Sequence, residues 1–227
     1  MSQQKLLSSP RSVGFSPRVI AFCTRKTWAE AHTTKAMPMT WIRTIPKSEA
    51  GPEYRAALLA QHALYPQEYN AEVPGLPSGE ADGIVATHSL IPDALHHAFA
   101  TFGALMSPTL PLNRRQHELI ATVVSQCNCT KYCSVSHREF LRRATGDEAL
   151  VASIEESDLS NLSPADQLMC QHAEKITRDA TSIQQSDIQA LRDVGFDDQG
   201  ILQITLIASW FNYINRVADS LGVARDE

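Results

Sequence analysis

Residues 117–137 read HELIATVVSQCNCTKYCSVSH and hold three of the five cysteines of the chain. Cys133 and His137 stand four positions apart, so on a helix they are neighbours on one face. A cysteine attacks only as a thiolate, and an adjacent histidine can take up the thiol proton. A position near a helix N-terminus further favours the thiolate through the helix dipole. We therefore predict that Cys133 is a nucleophile and that His137 is its base.

Two consecutive helices carry this stretch. Asn113 is a favourable N-cap for the first, which contains Glu118 and the apolar positions Leu119, Ile120, Val123 and Val124. Asn128 interrupts that helix, and the second runs to Gly146, a typical C-terminal stop. Glu118 is the candidate third member of the site, because a carboxylate there can orient His137.

The rest of the ordered sequence also predicts helices, and no alternating β pattern of any length occurs. Helix starts are expected at Ser48, Ser89–Pro92, Ser163–Pro164, Ser186, and Asp197 or Asp198. Prolines and glycines between residues 65 and 83 predict a long loop, of the kind that often forms a lid or a subunit contact. The last helix is apolar nearly all round, which predicts burial in the core or at an oligomer interface. The predicted fold class is all-α.

Composition limits the function classes. The chain has 227 residues, 43% of them hydrophobic, and a formal net charge of −5, which argues against nucleic acid as the main partner. No apolar run approaches the roughly 18–20 residues that span a bilayer, so no membrane partner is expected. Clustered cysteines in an intracellular chain are more often catalytic or metal-binding than structural disulfides.

The first forty residues differ from the remainder. Residues 1–40 hold six basic side chains and one acidic side chain, with several serines and no periodic apolar face. This composition is typical of a mitochondrial transit peptide. The alternatives are a disordered tail, or an extension upstream of a true translation start at Met37 or Met39. We expect a disordered extension over 1–40, one helical domain over 41–227, and a cytoplasmic protein unless the extension targets mitochondria.

A metal site is another interpretation of Cys127, Cys129, Cys133 and His137. Structural zinc sites favour two separated ligand pairs, and this chain has one dense cluster. We therefore expect neither a metal nor an organic cofactor.

The ordered region resembles the AhpD-like / carboxymuconolactone decarboxylase family, in particular its peroxidase-related branch. The core pattern of that family is a glutamate, eleven residues, then Cys-x-x-Cys-x-x-x-His, and Glu118, Cys133 and His137 fall in register with it. WIRTIP at 41–46, HSLIPDAL at 88–95 and FNYINRVADSLGV at 211–223 also look like this branch. The resemblance implies an all-helical, oligomerising bundle whose cysteine pair serves peroxidase or disulfide-exchange chemistry, with the glutamate and histidine relaying protons.

One position departs from the pattern. The first family cysteine would fall at residue 130, which is Thr130, with Cys129 beside it. Cys129 can replace the missing thiol only if the turn at 128–130 is non-helical, because disulfide Cβ atoms lie ~3.5–4.5 Å apart whereas helical neighbours are ~5–6 Å apart. Cys127 is a third candidate for the resolving thiol. Otherwise Cys133 acts alone, and the Thr130 hydroxyl bonds to Cys133 or to a bound water.

We therefore expect a thiol-dependent peroxidase or disulfide oxidoreductase with Cys133, His137, Glu118 and Cys129 in its site. Its partners would be a peroxide or small organic substrate, a thiol reductant and further copies of the chain. The alternatives are a non-redox carboxymuconolactone decarboxylase-like enzyme acting on a small organic acid, and a non-catalytic oligomeric scaffold. The other singled-out side chains are expected to have structural roles. They are His96, His97, Cys170, His172, Asn212, Asn215 and Arg216. We expect His117 on the polar side of its helix.

Overall fold

The computed structural model describes residues 40–65, 69, 72–76 and 83–224, and this part of the chain contains helices and no strand. The α-helices are α1 Pro52–Leu64, α2 Gly83–Thr87, α3 Pro92–Leu105, α4 Arg114–Cys127, α5 Lys131–Thr145, α6 Glu148–Glu155, α7 Pro164–Asp179, α8 Gln185–Asp193 and α9 Asp198–Ser220. Short 3-10 helices cover Lys47–Glu49 and Ala180–Ser182. The all-α prediction is confirmed.

Side-chain capping sets three of the helix starts that the sequence predicted, at Asn113, Ser163 and Asp197. Asn113 accepts a hydrogen bond from the Gln116 backbone, and the Gln116 side chain accepts one from the Asn113 backbone, which completes a capping box. The hydroxyl of Ser163 and the carboxylate of Asp197 accept from backbone N–H groups at the starts of α7 and α9. Gly146 caps the C-terminal end of α5. It adopts a left-handed φ of 66°, and its backbone N–H donates to the carbonyl of Arg142.

Two predicted helix starts, at Ser48 and Ser186, were wrong. Ser48 does not cap α1, because Pro52 begins this helix after Gly51, and residues 47–49 form a separate 3-10 turn. The helix start expected within Ser89–Pro92 is confirmed, since α3 begins at Pro92, whose fixed φ suits a first helical position. The helix expected from Ser186 begins one residue earlier, after Gln184. Two short helices, α2 and α6, had no counterpart in the sequence-based prediction.

Helix α4 lies at the centre of the bundle and packs against α5, α7 and α9. Leu119, Ile120 and Val124 are fully buried, and the residues between them are buried too. Helices α1 and α3 pack against each other, and α3 reaches α9. Because α4 is enclosed on several sides, its apolar stripe is buried together with four of its polar residues, His117, Glu118, Thr122 and Ser125.

Helix α9 is buried along one face and exposed along another. Ile204, Ile207 and Phe211 are fully buried. Leu202, Leu206 and Tyr213 form an exposed stripe, with 56%, 41% and 45% of their surface accessible. The apolar composition of this helix therefore reflects one core-facing side and one apolar surface.

The N-terminal segment predicted to be a disordered or targeting extension lies outside the described residues, apart from Thr40. Part of the predicted loop between residues 65 and 83 also lies outside them. In the described ranges, no helix is both long enough and apolar enough to cross a membrane.

Candidate functional site

A cavity of about 470 Å³ opens beside α5. Aromatic rings form much of its wall, and two of them, Phe102 and Trp210, stack with their centroids 4.3 Å apart. Cys133 and His137 line the same cavity. Its lining residues from α1, the following loop, α3, α5 and α9 include Gln61, Tyr65, Tyr69, Phe99, Phe102, Tyr132, Cys133, Ser136, His137, Phe140, Trp210 and Phe211.

Cys133 is the third residue of α5, and only 3% of its surface is accessible. Its thiol is free. Burial, with a smaller contribution from the carboxylate of Asp219, raises the pKa of Cys133 above its ordinary value. The expected thiolate-favouring effect of the helix N-terminus is therefore outweighed, and the resting group is a protonated thiol that needs a base.

Glu118 and His137 are joined by a hydrogen bond of 2.7 Å between Oε2 and Nδ1. Burial acts to raise the pKa of the Glu118 carboxyl, but the neighbouring His137 lowers it, and the net pKa lies below the ordinary value. An ionised carboxylate can only accept a hydrogen bond, so Nδ1 of His137 carries the proton. In the neutral ring, Nε2 is then the basic nitrogen.

Tyr69 and Arg114 also bind Glu118, and the sequence-based prediction missed both. The Tyr69 hydroxyl donates to Oε1, and a guanidinium nitrogen of Arg114 lies 2.9 Å from the same oxygen. The Arg114 guanidinium stacks over the Tyr69 ring, 4.2 Å from its centroid. Arg114 had a sequence signal, since it precedes Glu118 by four residues on one helix. Tyr69 had none, because it lies in an aperiodic loop.

Aromatic rings hold His137 in place. The centroid of its ring lies 4.6 Å from that of Phe211 and 5.5 Å from that of Phe140, in edge-to-face arrangements. Tyr69 also packs edge-to-face on Phe140 at 4.2 Å. With Nδ1 bound to Glu118, this packing fixes both the tautomer and the plane of the imidazole.

Thr130 stands at the family's first cysteine position and is 1% exposed. Its hydroxyl donates to Oδ2 of Asp219 at 2.7 Å, a partner on α9 that the sequence-based prediction did not include. The hydroxyl therefore directs its proton to Asp219 and not to Cys133. Asp219 thus contacts Thr130 and also acts electrostatically on Cys133.

The other two cysteines of the cluster lie away from the cavity wall. Cys129 is exposed on the turn between α4 and α5, with a left-handed φ of 58°. Cys127 is half-buried and lines a separate small cavity of about 50 Å³ with Glu174 and Arg178. The turn at 128–130 is non-helical, as a resolving role for Cys129 would require. Within the described chain, no group of three or more His, Cys, Asp or Glu side chains is arranged to hold a metal ion.

His117 was predicted on a polar helix face, and that prediction was wrong. The residue is 3% exposed, and its Nε2 lies 3.1 Å from the Gln203 amide nitrogen. Burial lowers the pKa of His117 to about 4. The central position of α4 explains the difference, since no side of this helix is fully solvated over these residues.

The remaining structural predictions agree with the contacts of the chain. Cys170 and His172 are buried, His96 is half-buried and His97 is exposed. On α9, the Asn212 amide donates to Thr177 and its oxygen accepts from Asn128, the C-cap of α4. Asn215 pairs with Ser125, and Arg216 donates to Asn212. These polar groups connect α9 to α4 and α7.

Two solved structures of peroxidase-related proteins share this arrangement of helices. The alkylhydroperoxidase AhpD core of a peroxidase-related protein from Ralstonia eutropha is 22% identical, with a TM-score of 0.68 over 85% of this chain and 95% of that one. A peroxidase-related protein from a Silicibacter species is 26% identical, with a TM-score of 0.68 over 85% of this chain and 94% of that one.

A third solved structure is the debrominase Bmp8 in complex with 2,3,4-tribromopyrrole. It is 14% identical, with a TM-score of 0.64 over 84% of this chain and 92% of that one. No protein-family model matches the sequence, and no curated protein matches it. The chain has the AhpD-like all-helical fold of the peroxidase-related proteins.

Proposed function

We propose that this protein is a thiol-dependent peroxidase in which Cys133 is the nucleophile and His137, held by Glu118, is the base. The observation that carries the proposal is the 2.7 Å bond between Nδ1 of His137 and Oε2 of Glu118, with His137 and the buried Cys133 lining the same cavity. A histidine whose ring is oriented by a carboxylate suits a nucleophile whose own pKa is raised.

In the first step, Nε2 of His137 takes the proton of the Cys133 thiol. The thiolate attacks the terminal oxygen of a hydroperoxide, forming an S–O bond while the O–O bond breaks. The leaving alkoxide takes the proton from His137 and departs as an alcohol. Sulfur is oxidised to a sulfenic acid, and the peroxide is reduced.

In the second step, a thiol attacks the sulfenic acid, releasing water and leaving a mixed disulfide at Cys133. A second thiol reduces that disulfide and regenerates the enzyme. We propose an external thiol as the reductant, because Thr130 replaces the family's other cysteine. Cys129 is the alternative resolving thiol, and the left-handed turn that carries it gives the chain a non-helical path toward Cys133.

Steady-state turnover of cumene hydroperoxide with dithiothreitol tests the proposal. Cys133→Ser should abolish the protein-dependent rate. Cys170→Ser is the matched control, since Cys170 is equally buried but lies off the cavity, and its rate should match wild type. An unchanged rate for Cys133→Ser would reject Cys133 as the nucleophile.

One observation favours a second candidate, non-redox proton transfer on a small organic acid. The raised pKa of Cys133 disfavours a thiolate, whereas the pair of His137 and Glu118 can act as a base without any cysteine. Under this alternative Cys133→Ser would retain activity on the acid, and His137→Gln would lose it.

We further propose that the chain forms a homo-oligomer through the exposed α9 stripe of Leu202, Leu206 and Tyr213. Such contiguous apolar surface is typical of a contact between proteins. Light scattering coupled to gel filtration should give a multiple of the chain mass for wild type and the chain mass for Leu206→Glu. A monomeric wild type would contradict this proposal.

A further inference from the structure

A carboxylate lies at the N-terminal end of the helix that carries Cys133. Helix α5 begins at Lys131 after its N-cap Thr130, so Cys133 is the third residue of the helix. The Thr130 hydroxyl donates to Oδ2 of Asp219 at 2.7 Å. Asp219 belongs to the last turn of α9, and this hydrogen bond joins it to the start of α5.

The side chain of Thr130 does not cap its own helix in the usual way. An N-cap hydroxyl normally accepts a hydrogen bond from the backbone N–H of the second or third helical residue. Thr130 makes no such bond, and its buried hydroxyl donates to Asp219 instead. The bond therefore fixes the position of the carboxylate relative to the first turn of α5.

A negative charge at this position opposes ionisation of Cys133 in two ways. The positive end of the α5 dipole favours a thiolate in the first turn, and a carboxylate there offsets the dipole. Like charges also repel, so the carboxylate disfavours a second negative charge on Sγ of Cys133. Burial is the larger cause of the raised pKa of Cys133, and the Asp219 charge is the second cause.

Other charged side chains on the elements around α5 have partners or reach solvent. On α4, Glu118 is bound by Arg114 and by His137 of α5 itself. The others are the pairs of α6 and α5, Glu148 with Arg142 and Glu155 with Arg138, the half-buried Lys131, and the exposed cavity residues Lys47, His62 and Glu72. Among the described residues, Asp219 is the charged group that contributes to the raised pKa of Cys133.

We propose that Asp219, held by Thr130 at the start of α5, keeps Cys133 a neutral thiol until His137 takes its proton. Asp219 does not line the cavity, so it is a positioning residue that acts through its charge and does not accept the thiol proton. The proton passes from Sγ to Nε2 of His137 as in the proposed function, on which this role rests. A thiol that is neutral at rest is protected from other electrophiles that enter the cavity.

The rate at which iodoacetamide alkylates Cys133 in the full chain tests the proposal, because this uncharged reagent reacts with the thiolate and not with the thiol. Trypsin cleaves after Lys131 and Arg138, so the peptide 132–138 carries Cys133 and no other cysteine. Mass spectrometry of that peptide follows Cys133 alone.

Asp219→Asn removes the charge and keeps an oxygen that can accept from Thr130. Losing the charge should lower the pKa of Cys133 by about 0.5–1 unit, and a less basic thiolate is a somewhat weaker nucleophile. Alkylation of Cys133 at pH 8 should therefore be about 2- to 5-fold faster than in wild type. The logarithms of the two rates should rise in parallel from pH 7 to 9, because Cys133 stays mostly protonated there.

Thr130→Val is the matched variant, since it removes the hydrogen bond and leaves the charge of Asp219. It should raise the alkylation rate less than Asp219→Asn does, whereas a loosened contact between α5 and α9 would give the reverse order. Thr130→Ser keeps the hydroxyl and should react as wild type does. Asp198→Asn removes the same charge from the other end of α9 and should also match wild type.

A rate for Asp219→Asn equal to or below that of wild type would overturn the proposal. A rise in Thr130→Val as large as that in Asp219→Asn would also overturn it. Alkylation needs no peroxide, so these rates do not depend on turnover. If peroxide turnover survives Cys133→Ser while Asp219→Asn still speeds alkylation, the peroxidase proposal fails and the role of Asp219 stands.

Discussion

Replacing Glu118 by glutamine removes the buried charge at the centre of its network of contacts and preserves the shape of the side chain. Glu118 is 1% exposed, and its Oε2 accepts a hydrogen bond from Nδ1 of His137 at 2.7 Å. Its Oε1 lies 2.9 Å from a guanidinium nitrogen of Arg114 and accepts a hydrogen bond from the Tyr69 hydroxyl. In Glu118→Gln the positive charge of Arg114 loses its negative partner. The carboxylate that accepts the hydrogen bond from His137 is replaced by an amide. Removing one partner of a buried ion pair costs about 3–5 kcal/mol.

Because glutamine retains an oxygen acceptor, we expect the lower end of that range, a loss of about 3 kcal/mol in the free energy of unfolding. The melting temperature should fall by about 6–12 °C, at roughly 2–4 °C per kcal/mol for a chain of this size. His137 would lose the carboxylate that fixes its tautomer, so peroxide turnover should fall by about 100-fold or more. Differential scanning calorimetry and the cumene hydroperoxide assay measure the two effects.

The control is Glu155→Gln, which removes the carboxylate of an exposed pair with Arg138. It should cost about 0.5 kcal/mol or less and leave turnover unchanged. The net pKa of Glu118 lies below its ordinary value of 4.5, so its stabilising effect is complete above pH 4.5 and is lost as the pH falls through the folded-state value. The stability difference between wild type and Glu118→Gln should therefore shrink below pH 4.5. Equal melting temperatures and rates for the two glutamine variants would refute the reasoning.

Three further predictions concern single side chains. Tyr69→Phe keeps the ring over Arg114 but loses the hydrogen bond to Glu118, so urea unfolding should show a loss of about 1–2 kcal/mol. Gly83→Ala should destabilise the protein more than Gly146→Ala in the same measurement. Both glycines have a positive φ, 86° at Gly83 and 66° at Gly146. Of the two, only Gly83 has a neighbour that an added Cβ would meet, the Tyr132 hydroxyl at 2.7 Å. His117 has a pKa lowered by burial from 6.5 to about 4, so wild-type stability should fall by up to about 3 kcal/mol as the pH drops across that window, and His117→Gln should remove this slope.

The candidate pair of Cys133 and His137 could be predicted from sequence because its geometry is local. Cys133 and His137 share a helix face through a four-residue spacing, and Glu118 sits on the adjoining helix at a position set by the Asn113 cap. The same spacing rule would have found Arg114, four residues before Glu118. Periodicity and capping thus account for the helix pair and for most of the residues of the proposed proton relay.

The remaining features depend on contacts between distant segments. Tyr69 reaches Glu118 from a loop without periodicity, and the bond from Thr130 to Asp219 joins residues 89 positions apart. His117 was placed wrongly because a helix enclosed by three others has no solvated side, which its own sequence does not reveal. The raised pKa of Cys133 likewise results from packing around the thiol and from Asp219.

The most direct test of Cys133 as the nucleophile is trapping of its sulfenic acid. Reduced protein would be treated with one equivalent of cumene hydroperoxide in the presence of dimedone, digested, and mapped by mass spectrometry. We predict a dimedone adduct on Cys133, and none on Cys133 in His137→Gln treated for the same time. A wild-type adduct on Cys127 or Cys129 with Cys133 unmodified would contradict the assignment of the nucleophile.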